Sequence, residues 1–181
     1  MDARGRIMTE LARAAIARRL GLAAHRPECP AWLEAPGAAF VTLTQDGCLR
    51  GCIGSLEAWR PLREDLEANA CAAAFDDPRF LPLSAEELPR TQVEVSILSP
   101  PEPMAFADER DAIGRLRPGV DGVILEWGRH RGTFLPQVWE QLPDPADFMR
   151  QLKRKAGLST DFWAGDLRLS RYTVEKYKES P

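Results

Sequence analysis

The strongest constraint on the fold is a pair of alternating apolar and polar runs on either side of Gln45-Asp46-Gly47. An Asp-Gly step between two such runs indicates a hairpin, because both residues tolerate the backbone conformation that a tight two-residue turn requires. The pattern predicts strands over residues 38–44 and 48–55. We therefore expect an antiparallel strand pair that is specified by local sequence.

The second strand contains Leu49-Arg50-Gly51-Cys52-Ile53-Gly54, and its residue types point to a site. Period-two alternation divides the side chains between two faces, with Leu49, Gly51 and Ile53 on one and Cys48, Arg50, Cys52 and Gly54 on the other. Arg50 and Cys52 then lie about 7 Å apart, where a guanidinium favours the thiolate over the thiol. Two interpretations stay open, because free cysteine also packs as a small hydrophobe. The glycines suit a bulge or the close approach of a ligand.

The composition is that of an ordinary folded domain. At 181 residues the chain suits one domain over residues 1–181, with room for a smaller lobe within it. The net charge of −3 argues against a large basic surface for nucleic acid. No apolar run approaches the roughly 20 residues of a membrane span, and the basic N-terminus lacks the apolar core of a secretory signal. We therefore expect no membrane segment and a cytoplasmic protein.

The four cysteines predict neither a disulfide nor a metal site. They are widely spaced, at positions 29, 48, 52 and 71, without a C-x-x-C pair. Cys48 and Cys52 would lie about 13 Å apart in a strand, beyond the roughly 7 Å between Cα atoms that a disulfide allows. With two histidines in the chain, no zinc-ligand spacing is present. The expectation is reduced thiols, no metal and no assigned cofactor.

The rest of the chain alternates helices of unequal length with strands. Apolar spacing predicts helices over 8–20, 61–75, 108–116 and 145–156, and strands over 92–98 and 120–127. The tail alternates from Leu167 to Val174 and predicts one further strand, while Gly128 to Gly132 forms a basic turn. Strands that come as hairpins between irregular helices indicate an α+β fold with a largely antiparallel sheet and flanking helices.

Three charged residues outside the hairpin are candidates for the same site. Asp77 and Arg79 lie in Asp77-Pro78-Arg79-Phe80, where Pro78 ends the preceding helix. They either belong to a plain loop or pair with each other and fix that loop near the hairpin. Glu94 is a candidate neighbour of Arg50 if their strands share a sheet face, and ordinary solvent exposure is the alternative.

A second group of candidates is basic. It consists of Arg129, His130 and Arg131 in the predicted turn and of Lys153, Arg154 and Lys155 at the end of the last helix. Phosphate or nucleic-acid contact is one interpretation of the turn, and a solvated turn is the other. The helix-terminal cations complement the negative end of the helix without any ligand.

Taken together, these motifs resemble the AMMECR family. The matching segments follow in order over nearly the whole chain: Leu49 to Gly54, Asp77 to Phe80, Val93 to Leu98, Gly119 to Val123, Leu135 to Val138 and Lys155 to Leu158. The resemblance implies two unequal lobes built on antiparallel sheet. It also implies that the protein works with a radical SAM protein and a Memo-like protein, beside which or fused to which such proteins are encoded in many prokaryotes. The family's activity is not established.

Three functions follow as hypotheses. In the first, Arg50 activates Cys52 as a nucleophile or redox thiol. The candidate ligand-binding residues around it are Gly51, Gly54, Asp77, Arg79 and Glu94. In the second, Arg50 and the glycine backbone bind an anionic small molecule, a nucleotide or a partner protein, and Cys52 merely packs. The third is nucleic-acid binding through the basic residues, with a steep salt dependence.

Overall fold

The computed structural model describes residues 2–25 and 27–179, which form two compact units. The first unit consists of the chain up to Leu98 together with the C-terminal residues from Glu175, and the second unit is Ser99–Val174. Each unit contains a four-stranded antiparallel sheet with helices. The predicted α+β class with largely antiparallel sheet is confirmed.

The described part of the chain contains four α-helices and eight strands. In chain order they are α1 (Ala3–Arg19), β1 (Ala38–Gln45), β2 (Cys48–Gly54), α2 (Leu62–Phe75), β3 (Thr91–Leu98), β4 (Glu102–Pro103), α3 (Glu109–Gly114), β5 (Gly122–Trp127), β6 (His130–Phe134), α4 (Pro145–Lys155), β7 (Arg168–Tyr172) and β8 (Val174–Lys178). The strand order is β2-β1-β3-β8 in the first unit's sheet and β4-β7-β5-β6 in the second.

Helix α1 begins at Ala3 rather than at Met8. The Asp2 carboxylate caps its first turn by accepting a hydrogen bond from the Gly5 amide at 2.8 Å. The predicted apolar stripe is buried against the rest of the unit and consists of Met8, Leu11, Ala12, Ala15 and Ile16. Gly21 follows the helix with φ of +73°, the left-handed conformation in which helices commonly end.

The hairpin between β1 and β2 has the predicted turn. Asp46 and Gly47 have φ values of +50° and +79°, as a two-residue type I′ turn requires. Gln45 and Cys48 lie opposite each other at the ends of the two strands. The Asp-Gly step therefore fixes where the hairpin closes.

A β-bulge interrupts this hairpin. The register shifts between Leu43 and Thr44, and Arg50 is the extra residue on β2. Leu49 consequently lies opposite Thr44 and is 43% exposed, whereas simple alternation predicted that it shares the face of Ile53. Ile53 packs against the core as expected.

The core of the first unit lies between its helices and one face of its sheet. That face is completely buried and contributes Val41, Leu43, Val93 and Val95. These residues alternate with Thr42 and Glu94, which are partly buried on the opposite face. We call that opposite face the outer face. Cys52 lies on it because Cys52 pairs with Thr42.

The second unit packs α4 against its own sheet. Its core includes Val123, Leu125, Phe148, Leu152 and Leu169. The β5–β6 hairpin turns within residues 128–129, so the predicted basic turn over 128–132 is shorter than expected and its later residues belong to β6.

Among the described helices, none combines the length and the apolar character that crossing a bilayer requires.

The predicted single strand of the tail is wrong. The chain breaks at Thr173 into β7, which pairs with β5 in the second unit, and β8, which neighbours β3 in the first. The end of the tail is also fixed in the first unit, where the Glu179 carboxylate accepts hydrogen bonds from Arg13 and from the Val93 amide. Alternation of apolar and polar residues does not indicate that the tail passes from one sheet to the other, because β7 and β8 are both extended.

Candidate functional site

Cys52 is partly buried on β2, an edge strand of the first unit's sheet. Its Sγ lies 3.3 Å from Oγ1 of Thr42, the residue directly opposite on β1. The bulge at Arg50 produces this pairing, because without the extra residue Cys52 would lie opposite Val41 of the buried face. One inserted residue thus directs the thiol outward.

The turn after α2 holds the backbone of Cys52. The Cys52 amide donates a hydrogen bond to Asp77 Oδ2 at 2.9 Å, and Arg79 Nη2 donates to the Cys52 carbonyl oxygen at 3.3 Å. Arg79 also donates to Asp77 through Nε at 2.9 Å and Nη2 at 2.7 Å. The pairing of Asp77 with Arg79 that the sequence allowed is therefore present. It satisfies backbone groups of the edge strand that a further strand would otherwise pair.

Asp77 and Arg79 differ in their exposure to solvent. The side chain of Asp77 is 2% exposed, whereas that of Arg79 is 53% exposed. Hydrogen bonds from the Arg79 guanidinium, and then from the Cys52 and Arg79 amides, hold the pKa of the Asp77 carboxyl well below its usual range against the effect of burial. The contact with Asp77 raises the pKa of Arg79, with a smaller contribution from the charge of Cys52. Arg79 is thus a charged guanidinium that is paired with Asp77 and bonded to the backbone of Cys52.

Arg50 is held by a different carboxylate. Its Nε and Nη2 donate to the two carboxylate oxygens of Glu87 at 3.0 and 3.2 Å. Its Nη1 is buried and has no hydrogen-bond partner within residues 2–25 and 27–179, and its Cζ lies 5.9 Å from the centre of the Phe80 ring. Glu87 therefore neutralises Arg50, and the guanidinium that contacts Cys52 is that of Arg79.

The ion pair of Arg50 with Glu87 predicts a stability that depends on pH. Hydrogen bonds from Arg50 and from the Ser84 amide lower the pKa of Glu87 from 4.5 to about 2. Because the folded value is the lower one, this stabilisation is complete above pH 4.5 and is lost as the pH falls through about 2. We expect wild type to exceed Glu87→Gln by about 2 kcal/mol in unfolding free energy near neutral pH.

Urea denaturation of both proteins at neutral pH and near pH 3 measures this effect. The difference between them is expected to shrink by more than half at about pH 3. Comparison with Glu87→Gln cancels the contributions of the other carboxylates, including Asp77. A difference that stays constant with pH would show that Glu87 stabilises the fold through packing and not through its charge.

Packing accounts for Gly51 and Gly54. A Cβ at Gly51 would lie 2.0 Å from the carbonyl oxygen of Ala73 on α2, and a Cβ at Gly54 would lie 2.2 Å from the Phe40 ring. Neither glycine accepts a methyl group unless a neighbour moves. The two positions allow α2 and Phe40 to approach β2 closely, and this explains them without a ligand.

Glu94 lies on the outer face, directly opposite Thr42 on β3. Strand β1 separates Glu94 from β2, and the acidic partner of Arg50 is Glu87 instead. In the part of the chain that the structure describes, the partly buried Glu94 side chain has neither a hydrogen bond nor an ion pair. The outer face therefore carries Cys52, Thr42 and Glu94 in one row across three strands.

The basic residues of the second unit do not form one exposed group. Lys153 is completely buried, and its Nζ donates to Glu109 at 2.5 Å and to the Thr160 carbonyl oxygen at 3.0 Å. The ring of His130 stacks on Trp127. Within the described ranges, no group of three or more His, Cys, Asp and Glu side chains is arranged to hold a metal ion.

Sequence analysis missed two members of the site, Thr42 and Glu87. Thr42 is found only if the hairpin register includes a bulge, and Gly51 was the available signal for one. Glu87 lies 37 residues after Arg50, in a segment whose sequence gives no sign of this contact.

These features define a two-unit α+β protein in which a partly buried thiol is fixed on an edge strand. The family model AMMECR1 matches residues 9–177, and the chain belongs to this family. A Methanothermobacter thermautotrophicus protein is 38% identical over 180 residues, which cover 97% of this chain and 94% of that protein. Protein SSO0193 of Saccharolobus solfataricus is 37% identical over 186 residues, with 97% and 82% coverage.

A solved structure agrees with this assignment. The crystal structure of the uncharacterized protein PH0010 from Pyrococcus horikoshii matches with a TM-score of 0.80 and 35% sequence identity. The match covers 99% of this chain and 93% of PH0010. Fold and family are therefore shown by both sequence and structure, while no activity is established for the family.

Proposed function

We propose that Cys52 is the reactive thiol of a site on the outer face, where it acts as a nucleophile or a redox thiol. The observation that supports this most is its fixation: Asp77 and Arg79 hold both backbone groups of Cys52, and its Sγ lies beside the Thr42 hydroxyl. A thiol held in this way has a defined direction. The thiolate is the form in which a cysteine reacts.

The other hypotheses have less support. Binding of an anion needs an unbalanced positive charge, and Arg50 and Arg79 are each bonded to a carboxylate. Lys153, one of the basic residues considered for nucleic-acid binding, is completely buried and is not accessible to a nucleic acid. Cooperation with a radical SAM protein and a Memo-like protein is part of our proposal, and the likeness to the AMMECR family is its support.

Alkylation with iodoacetamide at neutral pH tests the proposal. Cys48 is exposed at the start of the same strand and is a reference within the same molecule. We expect Cys52 to react at least about 10-fold faster than Cys48 although it is less exposed, as measured by mass spectrometry of the two labelled peptides. A Cys52 that reacts more slowly than Cys48 would identify it as an inert packed thiol.

The same measurement on Arg79→Gln tests the source of the reactivity. Alkylation of Cys52 is expected to slow by about 5- to 10-fold, because the Asp77 carboxylate at the Cys52 amide then lacks its cationic partner and disfavours a second negative charge nearby, while Cys48 is unchanged. Arg115→Gln is the matched control, since Arg115 is 55% exposed and also pairs with a carboxylate, that of Asp111 on α3. Equal slowing at Cys52 and Cys48 would indicate a general change in the hairpin and contradict the specific role of Arg79.

A further inference from the structure

A cavity of about 500 Å³ lies beside α1 in the first unit, and Cys52 is not among the residues that line it. Its volume falls within the roughly 300 to 1,000 Å³ of sites that bind small molecules. One wall is a single face of α1, because residues at spacings of three and four share a helix face. The lining residues are Glu10, Arg13, Ala14 and Ala17 on α1, residues 22–25 and Pro27 in the segment after it, and Leu88.

The interior of this cavity is apolar. Ala14, Ala17 and Leu88 are buried, and the two alanines leave space that longer side chains would fill. Leu22 also lines the cavity but is 40% exposed, so the space is open to solvent. An apolar group that enters it removes the surface of Leu22 from water, which is favourable. The cavity therefore fits a molecule with an apolar body.

Arg13 does not make the cavity a site for anions. Its Nε and Nη2 donate to the two carboxylate oxygens of Glu179 at 2.7 and 2.5 Å. Nη2 also donates to the Thr91 carbonyl oxygen at 2.5 Å, and Nη1 donates to that of Leu88 at 3.1 Å. The charge of Arg13 is thus balanced by Glu179, and its nitrogens are held by the protein itself.

Glu10 gives the rim of the cavity an unbalanced negative charge. Its carboxylate has neither a hydrogen bond nor an ion pair within residues 2–25 and 27–179. His25, the remaining titratable residue of the lining, is an imidazole, a group that is largely uncharged above neutral pH. A cation beside Glu10 is attracted and an anion is repelled, by a modest amount because the carboxylate is exposed.

We propose that this cavity binds a small amphipathic amine. The apolar body of the ligand fills the space over Ala14, Ala17 and Leu88, and its ammonium group lies beside Glu10. Burial of the apolar body supplies most of the affinity, and Glu10 selects the sign of the charge. The site lies apart from the reactive thiol proposed above and does not depend on it.

Two probes with the same apolar body and opposite charges test the inference, 4-phenylbutylamine and 4-phenylbutyrate. Each is titrated at pH 8 into the full chain carrying methyl-labelled alanine and leucine, so that NMR signals of Ala14, Ala17, Leu22 and Leu88 report on the cavity directly. We expect the amine to shift these signals with a dissociation constant of about 1 to 5 mM, as its size allows. The carboxylate is expected to bind about 3- to 5-fold more weakly.

Two pairs of variants separate the charge from the apolar contact. Glu10→Gln is expected to make the two dissociation constants equal, whereas Glu140→Gln removes the same charge from an exposed position in the second unit and should keep the preference. Leu22→Ser is expected to weaken both probes by about 3-fold. Leu81→Ser is its control, because Leu81 is 83% exposed and is not a lining residue.

Three results would overturn the inference. The first is the lack of a saturable shift at the cavity methyl groups up to about 10 mM amine, well above the expected dissociation constant. The second is equal affinity of wild type for the two probes, and the third is an equal effect of Leu22→Ser and Leu81→Ser. Neither probe reacts with a thiol, so the reactivity of Cys52 has no influence on the outcome.

Discussion

Replacing Asp65 by Ala is expected to lower the free energy of unfolding by about 3 to 5 kcal/mol. This carboxylate on α2 is completely buried. Its Oδ2 accepts hydrogen bonds from the Ala39 amide at 2.9 Å and Asn69 at 3.0 Å, and its Oδ1 accepts from Ser55 at 2.6 Å and Arg60 at 2.8 Å. Alanine would leave these donors without an acceptor at the point where α2 meets the hairpin, and unsatisfied buried donors are costly.

Urea denaturation measures the loss, and Asp76→Ala is the control. Asp76 follows the same helix, is 58% exposed and lies 3.7 Å from Arg19. Its replacement is expected to cost less than about 1 kcal/mol, as is usual for exposed ion pairs. Asp65→Asn should fall between the two, because the amide keeps one acceptor oxygen. A loss of less than about 1 kcal/mol in Asp65→Ala would mean that the sheet holds the hairpin without this network.

The local elements could be predicted because their signals are local. The Asp46-Gly47 turn, the apolar stripe of α1 and the alternation of β3 each depend on residues that are close in sequence. The position of the bulge at Arg50 could not be predicted in the same way, because glycine in a strand is compatible with a bulge but does not specify which residue is the extra one. It nevertheless decides which residues share a face with Cys52.

The same distinction between contacts close in sequence and contacts distant in sequence applies to the candidate site. The pairing of Asp77 with Arg79 could be predicted as a possibility because they are two residues apart, on either side of Pro78 and just after the helix. The partner of Arg50 could not be recognised, because Glu87 reaches it only through the fold of the segment after α2. The position of Glu94 relative to Cys52 depends on strand order, which places β1 between β2 and β3. The alternation of residues within a single strand does not indicate which strands lie next to each other in the sheet.

Replacing Gly51 by Ala is the second change for which we expect a large effect, a loss of at least about 3 kcal/mol in unfolding free energy. The new Cβ would lie 2.0 Å from the carbonyl oxygen of Ala73 and 3.0 Å from its carbonyl carbon. This obstacle is backbone within α2, so it cannot rotate away as a side chain can. Relief requires β2 and α2 to separate, which would open the core around Leu66 and Ala70, both completely buried.

Gly114→Ala is the matched control, because a Cβ there would meet nothing within 4 Å, and its thermal stability should equal that of wild type or exceed it slightly. The comparison also separates two explanations of Gly51. If the glycine is needed for packing, Gly51→Ala melts at a lower temperature and its hairpin cysteines become equally accessible to alkylation. If the glycine is needed for the approach of a ligand, Gly51→Ala melts like wild type and keeps the fast alkylation of Cys52, because no helix has moved. A melting temperature within a few degrees of wild type would therefore contradict the packing explanation.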